Sequence, residues 1–361
     1  MWISNTATAL MMLPLALSLV RLAQTGPSEA DAATGSGAPP AVLPSDDAGA
    51  GSFATAMLLA VAYAASIGGM GTPIGTPPNA FFAAFAAESL DLRVPFVGWM
   101  GVALPVVLVG LAVAHVLLTR WVVRVSASPL PGVAAHVASE RARLGPMTSP
   151  ERRAAAVFGL VAAGWAFLPL IADRLPGLTE PGLAIAGALV LFLLPAGDGT
   201  DARLLGAADI ERLPWGVLLL FGGGLSLASA LEASGLAEWL GGAFVHLRGW
   251  PLPVVLLALG VVMVALGELA SNTALAAALL PVLAPMAPAL GLHPLALLVP
   301  ATLFASVGFA LPAGTPPNAI VYGTGHVPMR TMVRAGLWLD LALVVVVALL
   351  GSLLVGPVLG V

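Results

Sequence analysis

Two groups of small polar residues, each written twice in an otherwise apolar chain, have the chemistry to hold an anion and a cation. Ser4-Asn5-Thr6-Ala7 returns as Ser271-Asn272-Thr273-Ala274. Pro73-Ile74-Gly75-Thr76-Pro77-Pro78-Asn79-Ala80 returns as Pro312-Ala313-Gly314-Thr315-Pro316-Pro317-Asn318-Ala319. The spacing is copied too: Pro14 and Pro281 follow their Ser-Asn-Thr runs equally, and Gly69 and Gly308 precede their Gly-Thr-Pro-Pro-Asn runs equally. A helix start exposes unpaired N–H groups and partial positive charge, which suits a carboxylate or other oxyanion. The Gly-Thr-Pro-Pro-Asn runs offer the complement, free carbonyls and Thr or Asn oxygens, which suit a hard cation such as Na⁺. Two half-sites of this kind, related by the repeat, suit an anion with two charged ends.

The elements that must position these residues follow from the same runs. Glycine and paired prolines break helices and free backbone groups. In lipid those groups must be satisfied by protein, water or a bound ion. Matching breaks in the two halves of an apolar chain are the sequence mark of a transporter's binding site. Of the 361 residues, 59% are hydrophobic and only 9% charged, against about a quarter charged in a soluble domain. The chain therefore reads as an all-α polytopic membrane protein. It has no Cys, which excludes disulfides and thiol chemistry, and its basic side chains are all Arg apart from five His. The opening Met1 to Val20 lacks a basic leader and is not a signal peptide.

In chain order, Asn5 to Val20 reads as a short apolar helix, too short to cross a core of about 30 Å comfortably. Gln24 to Ser52 reads as a polar loop rich in Gly, Pro, Ser and Asp. Phe53 to Phe85 is apolar and broken in the middle, and Val94 to Val123 is a continuous span. Arg124 to Arg153 is a polar, Arg-rich connection. Spans follow near residues 154–172, 181–196 and 214–231. Leu252 to Leu290 forms two short arms meeting at Ser271-Asn272-Thr273, Leu295 to Tyr322 is broken at the second proline run, and Met332 to Leu359 closes the chain. Each pair of short arms reads as a re-entrant hairpin rather than a crossing. The divisions expected are a first repeat over 1–124, a linker over 125–153 and a second repeat over 154–361.

Counting Arg tests the topology. If both hairpins enter and leave on one side, Arg21, Arg120, Arg124, Arg141, Arg143, Arg152, Arg153, Arg203, Arg212, Arg330 and Arg334 share one face. Arg93, Arg174 and Arg248 share the other. The positive-inside rule places the larger group, with the linker 125–153, in the cytoplasm and the C-terminus outside. The first hairpin then opens inward and the second outward, so the repeats are inverted. No Arg falls inside a helix near the expected site. A buried dianion without cationic side chains is costly to desolvate, and helix termini carry only about half a charge each. Bound cations supply the missing charge, so coupling to a cation is an electrostatic requirement.

Ser-Asn-Thr at two tips, paired Gly-Thr-Pro-Pro-Asn runs, Phe221-Gly222-Gly223-Gly224, Ser234-Gly235-Leu236-Ala237 and Ala313 to Gly323 resemble the divalent anion:sodium symporter family. The resemblance covers essentially the whole chain. It implies a homodimer in the cytoplasmic membrane, working by an elevator mechanism and carrying C4-dicarboxylates such as succinate, malate or fumarate with Na⁺. It implies no further cofactor, no enzyme activity and no nucleic-acid partner. By family pattern Ser4, Asn5 and Gly75 line one sodium site, and Ala270, Asn272 and Gly314 the other. Asn5, Thr6, Asn272 and Thr273 hold the substrate carboxylates, with Thr76, Pro77, Thr315 and Pro316 alongside.

Two departures bear on this. The family usually has a hydroxyl residue four before the second Ser-Asn-Thr serine, where this chain has Gly267. Family members also carry helices ahead of the first hairpin. The reading frame is therefore expected to continue upstream of Met1, and these residues expressed alone to insert poorly and take up no substrate. Ser and Asn are also ordinary N-cap residues; two copies, each followed by a broken helix, favour binding. Gly222-Gly223-Gly224 suits close helix packing. Glu268, at membrane depth, is either functional or bonded to the hairpin, and Asp340 is expected to be structural. The His are scattered, and no phosphate-binding loop is present. Alternatives are the same fold carrying sulfate or citrate, a sodium-independent exchanger, or a fragment that does not transport.

Overall fold

The computed structural model of the protein describes residues 1–25, 48–123, 133–171, 177–197, 202–211, 213, 215–236, 239 and 248–361. Among the described residues every regular element is helical, and Pro195 and Arg203 make an isolated antiparallel bridge. Five helical segments are long and apolar enough to cross a membrane: Asn5–Ala23, Gly51–Gly69, Phe96–Val122, Ser149–Leu170 and Met329–Leu359. The chain is a multi-pass membrane protein.

The helices divide between two compact units. The larger holds α1 (Asn5–Thr25), α2 (Ala48–Gly69), α3 (Pro77–Ser89) and α4 (Phe96–Val116), which ends in a π-helical turn over Leu117–Val122. The smaller unit takes residues 95–97 and 134–216 and holds α5 (Val133–Leu144) beyond its first residue, α6 (Ser149–Ile171), α7 (Glu180–Leu193) and α8 (Ala207–Glu211). From residue 217 the chain is back in the larger unit, with most of α9 (Trp215–Ala233), then α10 (Leu252–Gly267), α11 (Asn272–Leu283) and α12 (Met286–Ala289). The last three helices are α13 (Pro294–Phe304), α14 (Pro316–Tyr322) and α15 (Met329–Leu359).

In the larger unit the two copies of the repeat interlock. The arm after the first tip, α1, packs on α14, the helix after the second break; the arm after the second tip, α11, packs on α3, the helix after the first break. The core between them includes Leu58, Leu59, Ile67, Phe81, Phe82, Trp99, Phe304 and Phe309, all fully buried or nearly so. Tyr63 meets Phe309 edge-on, 5.1 Å between ring centroids. The long α15 packs on α10 and α13. Its Gly336 is required by close approach, because a Cβ there would lie 2.2 Å from the carbonyl carbon and oxygen of Phe309 in the second break.

In the smaller unit α6 packs on α7. Thr179 caps α7 by accepting from Gly182 N–H at 3.1 Å. Glu180 accepts from Phe96 N–H at 2.8 Å, its carbonyl accepts from Trp165 Nε1 at 3.0 Å, and the Phe96 and Trp165 rings stack.

Two sequence readings need correction, and a third gains detail. The first apolar helix is not short: α1 runs 21 residues through Pro14 to Thr25, about 31 Å at 1.5 Å per residue. Beyond Val20 it continues through Arg21, Leu22, Ala23 and Gln24, mostly good helix formers, so nothing there stops it. The loop over Gln24 to Ser52 is bounded more tightly, with 24–25 and 48–52 helical; the rest of that reading, 26–47, lies outside the described residues. The polar connection after Arg124 contains a helix, α5, whose Ala, Arg and Glu content favours helix as much as solvent. Its opening, 124–132, lies outside the described residues.

Candidate functional site

Both breaks are built alike. Thr76 and Thr315 hold extended backbone, φ −135° and −139°, and the Pro-Pro pairs that follow occupy the first turns of α3 and α14. Proline fits there because its missing N–H would have had no helical partner. The Asn of each run then staples its own break. Asn79 Nδ2 donates to the carbonyls of Thr72 at 2.8 Å and Met70 at 3.2 Å. Asn318 Nδ2 donates to those of Gly308 and Leu311, both at 3.1 Å. With each amide nitrogen committed to carbonyls, Asn79 Oδ1 and Asn318 Oδ1 remain buried without a partner.

The glycines of the two runs sit against backbone. A Cβ on Gly75 would meet Gly69 O at 2.2 Å and Met1 O at 2.8 Å; one on Gly314 would meet Gly308 O at 2.7 Å. Carbonyls further along the breaks are capped from neighbouring helices. Trp99 Nε1 donates to Met70 O at 3.0 Å, and Tyr63 Oη donates to Phe309 O at 3.1 Å.

The second break is also held by two buried carboxylates. Glu268 accepts from Ala310 N–H at 2.8 Å and Leu311 N–H at 2.7 Å, and Asp340 accepts from Phe309 N–H at 3.1 Å. Glu268 is thus bonded to the second break rather than to the arms on either side of the second tip. Asp340 Oδ2 has no hydrogen-bond partner among the described residues.

The tips differ from each other. At the first, Asn5 N–H donates to Gly75 O at 3.2 Å, Asn5 Oδ1 accepts from Thr6 N–H at 2.8 Å, and Ser4 Oγ accepts from Ala7 N–H at 3.2 Å. That helix start satisfies its own donors. At the second, Ser271 makes no side-chain cap, Asn272 Oδ1 is buried and unpartnered, and the first-turn N–H groups of α11 have no helical acceptor. Gly267 is packed closely: a Cβ there would lie 3.3 Å from Leu275 Cδ2 and 3.4 Å from Val307 O.

Tips and breaks meet around one cavity of about 210 Å³. Asn5, Thr6, Thr76, Pro77, Asn272, Thr273, Thr315 and Pro316 all line it, together with Gly314 and Ser271. Ser4, Gly75 and Ala270 do not line the cavity, though Gly75 touches Asn5 through the hydrogen bond above. Pro78, Pro312, Ala313 and Ala319 complete the wall. Behind it, Thr76 Oγ1 and Ser306 Oγ lie 3.3 Å apart and join the two breaks. Ser306 carries no signal in the doubled runs, because its counterpart in the first copy is Ile67. Among the described residues no Arg, Lys, His, Asp or Glu lines the cavity.

Comparison with known proteins gives the family. The family model described as the sodium:sulfate symporter transmembrane region matches residues 1–361. The chain belongs to the divalent anion:sodium symporter family. A sodium-dependent dicarboxylate transporter of Staphylococcus saprophyticus is 34% identical over 365 residues, covering 100% of this chain and 68% of that protein. The transporter of the same name from Staphylococcus aureus is 32% identical with the same coverage. As a divalent anion:sodium symporter the protein is a transporter and not an enzyme.

Proposed function

We propose that the protein is a secondary transporter that carries C4-dicarboxylates such as succinate, malate or fumarate together with Na⁺ across the cytoplasmic membrane. The observation that carries this reading is a cavity walled by helix starts and broken-helix backbone, with no charged side chain among the described residues that line it. Carboxylates would sit at the starts of α1 and α11, against Asn5, Thr6, Asn272 and Thr273. Pro-Pro removes the N–H donors from the starts of α3 and α14, so Thr76, Pro77, Thr315 and Pro316 shape the wall instead. Sodium would be held by Ser4, Asn5 and Gly75 on one side and by Ala270, Asn272 and Gly314 on the other. The unpartnered Asn272 Oδ1 supplies a ready oxygen ligand. At Gly267 the missing hydroxyl leaves backbone carbonyls to complete the second site. The relatives' printed name, sodium-dependent dicarboxylate transporter, points the same way.

The transport cycle follows from the repeat. Arms α10 and α11 have 16 and 12 residues, about 24 and 18 Å, which suits a re-entrant hairpin better than two crossings. In the proposed cycle the two copies are inverted, the larger compact unit carries the site across as an elevator, and the protein works as a homodimer. The linker 125–153 lies in the cytoplasm and the C-terminus outside.

An anion panel tests the cargo. Purified protein in sodium buffer is titrated with succinate, malate, fumarate, sulfate and citrate by isothermal calorimetry, alongside Asn272→Ala. The C4-dicarboxylates are expected to bind at least roughly tenfold more tightly than sulfate or citrate, a difference one well-placed carboxylate contact provides. Asn272→Ala should weaken both succinate and sodium binding, since its amide serves both. Tightest binding of sulfate, or an unaltered Asn272→Ala, would contradict the assignment.

A further inference from the structure

We propose that the outer face of α15 carries a specific site for an anionic membrane phospholipid, with the phosphate at Arg330 and Arg334. These two arginines lie one helical turn apart, both exposed, on the wall of a shallow groove that also includes Met329, Leu337, Trp338 and Leu341. The π-helical turn Leu117–Val122 packs on α15. Its Trp121 meets Trp338 edge-on with ring centroids 6.3 Å apart, and both rings are more than half exposed. Arg120, next to Trp121, is exposed as well. None of the three arginines makes an ion pair or hydrogen bond with the described residues.

Three features select a lipid as the occupant. Indole rings exposed in pairs mark the headgroup level of a bilayer. Unpaired guanidinium groups one turn apart offer a planar fork to a phosphate, which a zwitterionic headgroup would partly neutralise with its own cation. Below the arginines exposed apolar residues follow at every fourth position, Leu337, Leu341, Val345, Leu349 and Leu353, each 46% exposed or more, in a ridge that winds slowly round the helix. One leaflet fills about half of the roughly 30 Å hydrocarbon core, and from Arg334 to Val345 the helix rises about 17 Å, so one lipid's chains reach along Leu337, Leu341 and Val345. Acyl chains fit along the ridge while the phosphate stays at its charged end. Basic clusters at the end of a membrane helix bind anionic lipid in this manner. The site lies on the same compact unit as the cavity.

Native mass spectrometry of the purified protein tests this, with phosphatidylglycerol and phosphatidylcholine of identical chains added in turn. Wild type should retain phosphatidylglycerol preferentially. Arg330→Gln with Arg334→Gln should weaken that lipid roughly thirtyfold, to the level of phosphatidylcholine. A charge-matched control, Arg93→Gln with Arg248→Gln, should keep the preference. Soluble glycerol phosphate should fail to displace the lipid, because the apolar ridge contributes. The proposal is overturned if wild type shows no headgroup preference, if the double variant retains it, or if glycerol phosphate displaces the lipid. It is overturned as well if the double variant changes the oligomer mass and not the lipid bound, since the face would then be a protein contact.

Discussion

Gly75→Ala is expected to cost the protein its substrate and sodium binding while leaving it folded in the membrane. The new methyl would lie 2.2 Å from the carbonyl oxygen of Gly69 and 2.8 Å from that of Met1. Neither is the end of a flexible side chain, so the break itself must move. Overpacking of this kind costs about 1–3 kcal/mol, roughly a tenfold to hundredfold loss where the moved backbone is the binding surface. Gly314→Ala should act in the same direction and less, because its nearest contact is 2.7 Å, to Gly308 O. Titrating succinate into each purified variant in sodium buffer reads the order. Wild-type affinity in Gly75→Ala would show that this break takes no part in binding.

Glu268→Ala should be the most destabilising substitution near the cavity. Its carboxylate is the acceptor for two backbone donors, the buried Ala310 N–H and the half-buried Leu311 N–H. A buried donor left alone costs about 1–3 kcal/mol and a half-buried one less, so the pair is worth roughly 2–4 kcal/mol, a large share of the 5–15 kcal/mol that holds a typical domain. Glu268→Gln keeps an accepting oxygen for one of the two and should lose about half as much. Thermal unfolding in detergent reads this as a fall on the order of 10 °C for the Ala variant. Equal melting of both variants and wild type would mean that the second break does not depend on Glu268.

What the sequence exposed and what it concealed divide along the repeat. Residues present in both copies were legible: the two tips, the two breaks and the eight cavity residues drawn from them are features that a doubled word in an apolar chain makes visible. Residues that act in one copy only were not. Glu268 and Asp340 grip the second break, whereas the first is held through Trp99 and Thr72, whose Oγ1 donates to Met1 O at 2.5 Å. Ser306 replaces an isoleucine of the first copy, so no pattern points to it. The difference between the tips was also hidden. The two Ser-Asn-Thr runs are identical in sequence, yet only the first folds its Ser and Asn oxygens onto its own helix start. Hydropathy alone understates the length of α1, because the apolar run ends at Val20 while helix-forming residues carry the backbone on to Thr25.

The central claim is that sodium supplies the positive charge this cavity lacks, and one measurement addresses it directly. Succinate is titrated calorimetrically into the protein in sodium buffer and in choline buffer of equal ionic strength, and sodium is titrated with and without succinate. Two ligands that share a site with no basic side chain must each raise the affinity of the other, and by the same factor. A tenfold or greater gain is expected, about 1.4 kcal/mol or more of coupling, with the same factor recovered from both titrations. Equal succinate affinity in sodium and choline would contradict the account.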